Sequence, residues 1–321
     1  MMALRKLRRT VRNTLKSARD IWRGKQAAAF RRGLASAPLL RAEKTYNTSH
    51  PDYERSEVRN FPGRILNANL PCDNPLFHEI KRFAFGSRVS SLVLQPVLRH
   101  AMAEAATVPG FSHIMEGRIF IEQYAEDKAR LYQAQYNPGW VNLTDAQFLY
   151  WAVRRLKPKV IVQTGLSNGL SCAFMMLALA QNGPEGKLYG IDLPHIFNPH
   201  DPFWTKKGEN YGVMIPEGRR SGWLVPDIYR DRFEVQIGDA KELLPGLVDR
   251  LERLDLFFHD SDHTYEHMMF EYEEVMRKLA PGGVIMADDV SWNSSLWDYA
   301  DMRCVPSYNY RGMIGCAFFS M

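Results

Sequence analysis

Two short segments of the sequence concentrate side chains that could do chemistry. Residues 259–267 read His-Asp-Ser-Asp-His-Thr-Tyr-Glu-His, and residues 287–290 read Ala-Asp-Asp-Val. If the two segments are neighbours in the fold, four carboxylates crowd one cleft: Asp260, Asp262, Asp288 and Asp289. Like charges at that density destabilise one another unless a cation lies between them. A hard divalent ion such as Mg²⁺, which prefers oxygen ligands, is the simplest such cation. The alternative is that one or two of these aspartates only cap the following helix or pair with an arginine.

The histidines of the first segment do not favour zinc. His263 and His267 are four residues apart, but a zinc site needs both on one helical face together with a third ligand, and the order H-E-x-x-H is absent. Because His263 precedes the predicted helix, with Thr264 near its N-cap, the two rings would not share a helical face. We therefore predict that His263 lines the cleft and that His267 is an ordinary helix residue.

The elements around these segments predict an α/β fold with a doubly wound, mostly parallel sheet. A helix is expected to open at Thr144, with Gln147 completing a capping box, and to run to Leu156. Apolar strand-like runs then alternate with helices, which requires crossover connections and hence parallel strands. The predicted strands are Val160–Thr164, Lys187–Ile191, Arg232–Ile237, Leu254–Asp260, Gly283–Asp288 and Met313–Phe319, and the helices between them are Leu170–Gln181, Lys241–Leu251 and Tyr265–Leu279.

Each of the first three strands ends in residues that suit a nucleotide-like ligand, which binds beyond the carboxyl ends of such a sheet. A glycine-bearing turn, Gly165–Gly169, follows the first strand, and Asp192 after the second stands where an acid accepts hydrogen bonds from ribose hydroxyls. Asp239 and Ala240 follow the third and could meet an adenine amino group. Any one of these features alone could belong to an ordinary turn, whereas their occurrence after each of three successive strands favours a ligand site. The spacing G-x-x-x-G counts against a nicotinamide cofactor.

Four stretches of the chain resemble a known family. Residues 160–171, 188–194, 238–245 and 256–290 are similar to class I S-adenosylmethionine-dependent methyltransferases, and among them to the macrocin-O-methyltransferase-like group, which includes metal-dependent sugar O-methyltransferases. The resemblance covers about residues 141–319. It implies a seven-stranded Rossmann-like sheet whose last strand is antiparallel, with a helical region ahead of it.

The resemblance also implies roles for individual residues. Asp262 matches the family's general base, and we expect His263 to assist it or to position it. Asp260, Asp288 and Asp289 match its Mg²⁺ ligands. The residues implied to bind S-adenosylmethionine are Gln163, Gly165, Ser167, Asn168, Gly169, Ser171, Asp192, Asp239 and Ala240.

One position departs from the family. Gln163 stands where the family has an acid that assists the cationic amino group of the cofactor, and it offers a carbonyl oxygen but no charge. Weaker cofactor binding, or an inactive methyltransferase fold that serves as a binding or scaffold protein, is the alternative that this residue leaves open.

The predicted reaction is methyl transfer to a hydroxyl of a small molecule or saccharide. A metal-bound hydroxyl is acidified, and a nearby carboxylate can then take its proton, whereas transfer to nitrogen needs no acidified acceptor. The insertion 194–225 carries aromatic residues and the pair Arg219 and Arg220, which suit a sugar or phosphorylated acceptor or equally a contact between subunits of a homo-oligomer.

Charge is distributed unevenly along the chain. Residues 1–45 hold thirteen Lys or Arg against Asp20 and Glu43, and the rest of the chain holds 28 basic and 34 acidic residues. This basic, amphipathic arm could contact an anionic membrane surface, nucleic acid or another subunit, and its composition is also compatible with a mitochondrial presequence. A nucleic-acid methyltransferase recruited by the arm is the rival function, but the acidic remainder makes nucleic acid an unlikely partner.

Composition predicts a soluble globular protein of three parts. The chain has 321 residues, 45% hydrophobic and 24% charged, which excludes collagen-like and disordered classes. Four dispersed cysteines, Cys72, Cys172, Cys304 and Cys316, fit a reducing compartment, and we expect a cytoplasmic protein without a membrane span. The predicted parts are the arm 1–45, a linker and helical segment 46–140, and the methyltransferase domain 141–321.

Overall fold

The computed structural model describes residues 62–132, 141–194 and 215–320. The chain divides into two compact units, Met1–Tyr53 and Glu54–Met321, and all described residues belong to the second. The predicted basic arm, most of the predicted linker and the middle of the predicted insertion lie outside the described residues.

Helices and strands alternate along the described residues. The helices are α1 Pro75–Arg82, α2 Ser91–Ala105, α3 Phe111–Tyr132, α4 Leu143–Leu156, α5 Leu170–Asn182, α6 Ala240–Arg250, α7 Tyr265–Met276 and α8 Ser295–Met302, with a 3₁₀ turn at Asp227–Arg232. The strands are β1 Ile65–Leu66, β2 Ala84–Phe85, β3 Arg88–Val89, β4 Val160–Thr164, β5 Lys187–Asp192, β6 Phe233–Ile237, β7 Leu254–His259, β8 Leu279–Ala287, β9 Ser307–Tyr310 and β10 Ile314–Phe318.

Eight of these strands form one sheet in the order β1-β9-β10-β8-β7-β4-β5-β6. Strands β4 to β8 pair in parallel, and β10 pairs antiparallel with both β8 and β9. The sheet is therefore mostly parallel, as predicted. The predicted seven strands become eight because β1, from the segment before the methyltransferase resemblance, adds to the edge strand β9. Strand β1 has only two residues, which is too short to show a strand periodicity in the sequence.

The chain reverses direction beside β4. From β4 it moves through α5 to β5 and then to β6, whereas β7 returns to the opposite side of β4. Such a reversal opens a crevice beyond the carboxyl ends of the two strands that flank it, which is where ligands bind in doubly wound sheets. The carboxyl ends of β4 and β7 carry the glycine turn and the His-Asp segment.

Apolar residues alternate across the sheet and fill a core on each face. Ile161 and Phe258 pack on one side with α1 to α5, whereas Val162 and Phe257 pack on the other side with α6, α7 and α8. Helix α5 is buried along most of its length, which explains why its sequence lacks charge. No helix among the described residues has both the length and the apolar character to cross a bilayer.

The predicted capping box of α4 is wrong in its details. The N-cap is Asn142, whose side-chain oxygen accepts from the backbone N–H groups of Thr144 and Asp145, each at 3.0 Å. Thr144 is therefore already inside the helix. Asn is as good an N-cap as Thr, so the sequence offered two candidates two residues apart.

Candidate active site

The two acidic segments lie side by side. Strands β7 and β8 run in parallel with His259 opposite Ala287, and the backbone N–H of Asp288 donates to the carbonyl of His259 at 2.9 Å. On the other flank, the N–H of Asp260 donates to the carbonyl of Thr164 at 2.9 Å. The structure thus brings the end of β8 next to the end of β7, and the end of β7 next to the glycine turn.

Three aspartates at these ends share a desolvated, electronegative space. Burial and then the charges of Asp288 and Asp289 raise the pKa of Asp260 well above its usual range. Burial and the charge of Asp289 do the same to the pKa of Asp288, and burial raises the pKa of Asp289 to about 6. Within the described part of the chain, Oδ1 of Asp288 is buried and accepts no hydrogen bond. Carboxylates in this condition are stabilised by a cation.

A fourth aspartate, Asp145, joins the cluster and was missed in the sequence. It lies in the first turn of α4 with no exposed surface, and its Oδ1 has no hydrogen-bond partner among the described residues. Burial raises its pKa to about 6, and the charge of Asp289 adds to this shift. An acid in a first helical turn is ordinary, but Asp145 shares the apolar face of Phe148 and Leu149, three and four positions on, and that was the available signal.

The aspartates fit a divalent cation by chemistry but not yet by arrangement. Their oxygens are the ligands that Mg²⁺ prefers, and one of these oxygens is buried without a partner among the described residues. Across residues 62–132, 141–194 and 215–320, however, no group of three or more His, Cys, Asp or Glu side chains is arranged to hold a metal ion. Metal binding would therefore require the side chains to turn toward one another.

A buried carboxylate behind the aspartates organises three histidines. Glu271 of α7 has no exposed surface, and each of its oxygens accepts from the surrounding side chains. Oε2 lies 2.6 Å from Nδ1 of His259 and 2.8 Å from the hydroxyl of Thr164, and Oε1 lies 2.9 Å from both Nε2 of His267 and the hydroxyl of Ser261. Burial alone would raise the pKa of Glu271, but the histidine charges and hydrogen bonds lower it to about 2.

This network orients His263. Nδ1 of His259 lies 2.6 Å from Oε2 of Glu271, and Nε2 of His259 lies 3.2 Å from Nδ1 of His263, so one of these two nitrogens donates to the other. The other ring nitrogen of His263, Nε2, lies 3.6 Å from Asp289 Oδ2 and 3.9 Å from Asp260 Oδ1. Burial, followed by the charge of His259, lowers the pKa of His263 to about 3, so the ring is neutral.

The remaining residues of the segment face other partners. Asp262 is 57% exposed; its Oδ1 accepts from the backbone N–H of Thr264 at 3.1 Å, and its Oδ2 lies 3.9 Å from Nδ1 of His267. His267 is buried in the Glu271 network rather than being an ordinary helix residue. His263 lies beside Asp260 and Asp289.

The glycine turn approaches protein backbone closely. A Cβ on Gly165, whose φ is +72°, would lie 1.8 Å from the carbonyl oxygen of Asp260, and one on Gly169 would lie 2.6 Å from Cα of Gly222. Only glycine fits at Gly165, because the turn packs directly on the end of β7. Ser167 between them has a positive φ of 51° and a buried hydroxyl without a partner among the described residues.

Gln163 is committed to the turn itself. Its amide nitrogen donates to the carbonyl of Gly165 and to the hydroxyl of Ser171, each at 2.7 Å, and its oxygen accepts from the thiol of Cys172 at 3.0 Å. The side chain is fully buried. Glutamine here supplies donors that a carboxylate lacks, which explains why the turn tolerates the loss of the acid.

The other predicted cofactor residues lie at strand ends as expected and have protein partners. Asp192 accepts from the N–H of Leu166 at 2.9 Å and from the hydroxyl of Ser221. Asn168 accepts from the indole N–H of Trp223 at 2.8 Å. Asp239 caps α6 by accepting from the N–H of Lys241 at 2.8 Å, and Ala240 is buried as the first residue of that helix.

The described end of the predicted insertion packs on the glycine turn. Trp223 is 7% exposed and lies edge-on to His113 and Phe120 of α3, with the guanidinium of Arg219 4.6 Å from its ring centroid. Trp223 is therefore a structural residue of this chain. The aromatic residues of the insertion between positions 195 and 214 lie outside the described residues.

Comparison with known proteins identifies the class of enzyme. Residues 162–290, less than half of the chain, match the family model described as a methyltransferase domain. This match confirms the prediction of a methyltransferase. No curated protein matches the sequence.

Solved structures with a similar arrangement include two O-methyltransferases. The enzyme from Bacillus cereus, in complex with SAH, is 15% identical with a TM-score of 0.42, over 62% of this chain and 91% of that one. TomG from Streptomyces achromogenes, in complex with SAM, is 14% identical with a TM-score of 0.41, over 63% of this chain and 89% of that one.

Proposed function

We propose that this protein is an S-adenosylmethionine-dependent O-methyltransferase acting on a hydroxyl of a small molecule or saccharide. The observation that carries the proposal is the meeting of Asp260, Asp288 and Asp289 with His263 at the reversal point of the sheet, beside the glycine turn. Four groups that can hold a cation or take a proton there fit activation of a hydroxyl better than transfer to an already nucleophilic nitrogen.

The residues around the turn fit a cationic cofactor. S-adenosylmethionine supplies a methyl group activated by a positively charged sulfur. Gly165 and Gly169 would shape its binding turn, with Gln163 and Ser171 holding that turn from within and the hydroxyl of Ser167 free to donate. The unused lone pairs of Asp192 would accept from the ribose, and Asp239 with Ala240 would border the adenine.

Asp260, Asp288 and Asp289 would hold Mg²⁺, and this is the second part of the proposal. When bound, the ion would acidify the acceptor hydroxyl and offset the repulsion among the three carboxylates. Of the two candidates for the general base, we favour His263 over Asp262. Nε2 of His263 lies beside Asp260 and Asp289, whereas Asp262 is more than half exposed and accepts from the backbone N–H of Thr264, the N-cap residue of α7.

Thermal unfolding with S-adenosylhomocysteine tests this function. A ligand that binds only the folded state at about 100 times its Kd stabilises it by about 2.7 kcal/mol, which raises the melting temperature measurably. We expect a further rise with Mg²⁺ that EDTA reverses and that Asp288→Asn abolishes. An acceptor can then be sought among hydroxylated small molecules by measuring formation of S-adenosylhomocysteine.

Two rival functions are outcomes of the same work. A melting temperature that S-adenosylhomocysteine does not change would favour the inactive scaffold. The observation that supports this rival is that the side chain of Gln163 is hydrogen-bonded within the protein. Salt-dependent binding to RNA that is lost on deletion of residues 1–45 would favour the nucleic-acid methyltransferase.

A further inference from the structure

A groove on the surface of the described residues is lined by Pro62, Leu94, Gln95, Leu98, Tyr310 and Arg311. Its volume is about 300 Å³, at the lower end for small-molecule sites, which suits a single-ring compound rather than a polymer. Three of the six lining residues are apolar, and the others supply an amide, a phenol and a guanidinium. We call this feature the acceptor groove.

The turn that lines one side of the acceptor groove lies near the site already described. Tyr310 and Arg311 form the turn between β9 and β10, and β10 lies against β8 with Gly315 opposite Ala287. Just beyond that pair, the N–H of Val290 donates to the carbonyl of Met313 at 3.1 Å. The turn therefore sits beyond the same end of β8 that carries the paired aspartates.

Arg311 is held in a conformation that side chains rarely adopt. Its φ is +59°, in the left-handed region that favours glycine, and glycine does follow it at position 312. The turn is secured because the N–H of Gly312 donates to Oδ1 of Asn309 at 2.7 Å. Gly312 also has a positive φ, and the N–H of Met313 donates to the carbonyl of Tyr310 at 3.2 Å, as a type I′ hairpin turn requires, so the hairpin fixes the backbone from which the Arg311 side chain projects.

The positive charge of Arg311 is not engaged in a direct ion pair. Its side chain is exposed and makes no ion pair with any described residue. Buried Asp145 is close enough to feel its charge, and Asp145 also has an oxygen without a hydrogen-bond partner among the described residues. Tyr310, stacked on Phe148 with ring centroids 4.3 Å apart, holds the base of the groove rigid.

We propose that Arg311 recognises a single carboxylate or phosphate group on the acceptor, whose ring lies against Leu94, Leu98 and Pro62 while its hydroxyl reaches the aspartates. Only the role of this ligand as the methyl acceptor rests on the proposed function; its binding in the groove does not. A planar guanidinium binds such oxyanions through two parallel hydrogen bonds, whereas an ammonium cannot. One positive charge in a body with 34 acidic and 28 basic residues after position 45 suits a single anionic group and not a polyanion.

Binding of simple probes to the full-length protein tests the groove directly. Benzoate and phenyl phosphate carry the ring and the anion, benzamide carries the ring without charge, and inorganic phosphate carries the anion alone. In the presence of saturating S-adenosylhomocysteine we expect benzoate or phenyl phosphate to bind with millimolar affinity or better by calorimetry, and benzamide at least tenfold more weakly. Whichever of benzoate and phenyl phosphate binds more tightly shows whether the groove recognises a carboxylate or a phosphate. Binding of inorganic phosphate as tight as that of both ring compounds would show that Leu94, Leu98 and Pro62 do not contribute.

Matched variants decide whether Arg311 is responsible. Arg311→Gln should weaken the favoured probe at least tenfold, Arg311→Lys should weaken it less, and Arg303→Gln, which removes another exposed arginine at the end of α8, should leave it unchanged. Equal binding to Arg311→Gln and wild type, or no binding of either ring anion to wild type, would overturn the proposal. The response to S-adenosylhomocysteine is measured separately, so failure of the groove and failure of the methyltransferase function give different results.

Discussion

At the scale of single residues, the site depends on carboxylates that gain from being neutral. Asp145 and Asp289 each have a pKa of about 6, and the pKa values of Asp260 and Asp288 are raised well above their usual range, all because burial removes the carboxyls from water. In the absence of a cation, ionising this cluster costs stability that packing elsewhere must offset. We therefore expect a bound cation to stabilise this part of the protein.

Replacing Asp145 by asparagine should expose this cost. The pKa of Asp145 is raised from 3.8 to about 6 in the folded protein, so the fold loses stability as pH rises between these values, and the loss is complete above about 6. The amide of the Asp145→Asn variant stays neutral and can still accept from Asn142. We expect the stability of the variant relative to wild type to increase by about 1 to 2 kcal/mol between pH 5 and pH 8, measured by urea unfolding. A difference that does not change with pH would show that Asp145 is not desolvated.

The choice between His263 and Asp262 as the base can be made by comparing two variants. With any acceptor that the wild type methylates, His263→Gln should lower kcat by at least about 100-fold, the usual contribution of a general base. Asp262→Asn should lower it by less than about tenfold, because Asp262 is exposed and its Oδ1 accepts from the backbone N–H of Thr264. Both variants should retain binding of S-adenosylhomocysteine. The reverse order of kcat values would return the role to Asp262.

Sequence reasoning could find the aspartates but not their partners. Asp260, Asp288 and Asp289 follow strands that the apolar runs predict within one or two residues at their carboxyl ends, so their proximity follows from the parallel order. Glu271 and Asp145 lie inside helices, where acids are common, and only burial distinguishes them. The engagement of Gln163 with Ser171 and Cys172 depends on how α5 docks against β4, which no spacing encodes.

At the scale of elements, Glu271 joins α7 to the ends of β4 and β7. Its two oxygens accept from Thr164 on β4, His259 on β7 and His267 within α7. A single buried anion with several donors connects elements of the sheet and one helix layer. Glu271 thereby holds His259, and His259 in turn contacts His263 beside the aspartates.

Glu271→Gln should therefore destabilise the protein by about 3 kcal/mol, because an amide presents hydrogens to donors that need an acceptor. The matched control is Glu273→Gln, an exposed acid on the same helix, which should change stability by no more than about 0.5 kcal/mol. Urea unfolding of both variants gives the comparison. Equal effects would mean that the buried network contributes nothing specific.

The contact between the glycine turn and β7 predicts a second contrast. Gly165→Ala places a Cβ 1.8 Å from a backbone oxygen at a positive φ, so the backbone must move, and we expect loss of more than about 3 kcal/mol or failure to fold. Gly246→Ala, inside α6 with no atom within 4 Å of the added Cβ, should instead stabilise by up to about 1 kcal/mol. Soluble yield and melting temperature distinguish the two, and a tolerated Gly165→Ala would mean that the turn can separate from β7.

At the scale of the whole molecule, the described residues belong to one compact unit that begins before the methyltransferase resemblance. The predicted boundary near residue 140 is crossed by β1, which pairs with β9, and by α1 and α2, which share a core with α4 and α5. The apolar pattern of α1 and α2 predicts helices but not what they pack against.

A protein made of residues 54–321 should accordingly fold and bind S-adenosylhomocysteine as tightly as the full chain, within about threefold by calorimetry. The contacts of residues 62–320 that build the site all lie within this unit. If the basic arm serves membranes or RNA, binding of the full chain to anionic vesicles or RNA should be lost in this shorter protein. If the shorter protein is soluble and folded but does not bind S-adenosylhomocysteine, residues 1–53 contribute to the site.

Strand β10 lies inside the sheet although it comes last among the described elements. A ribosome must therefore translate past Phe318 before β8 gains its second neighbour and β9 joins the sheet. Until then one edge of β8 presents unpaired backbone N–H and C=O groups, and the hairpin that carries Arg311 cannot join the sheet. A chain that stops near residue 310 would lack β10 and keep this open sheet edge, which favours aggregation.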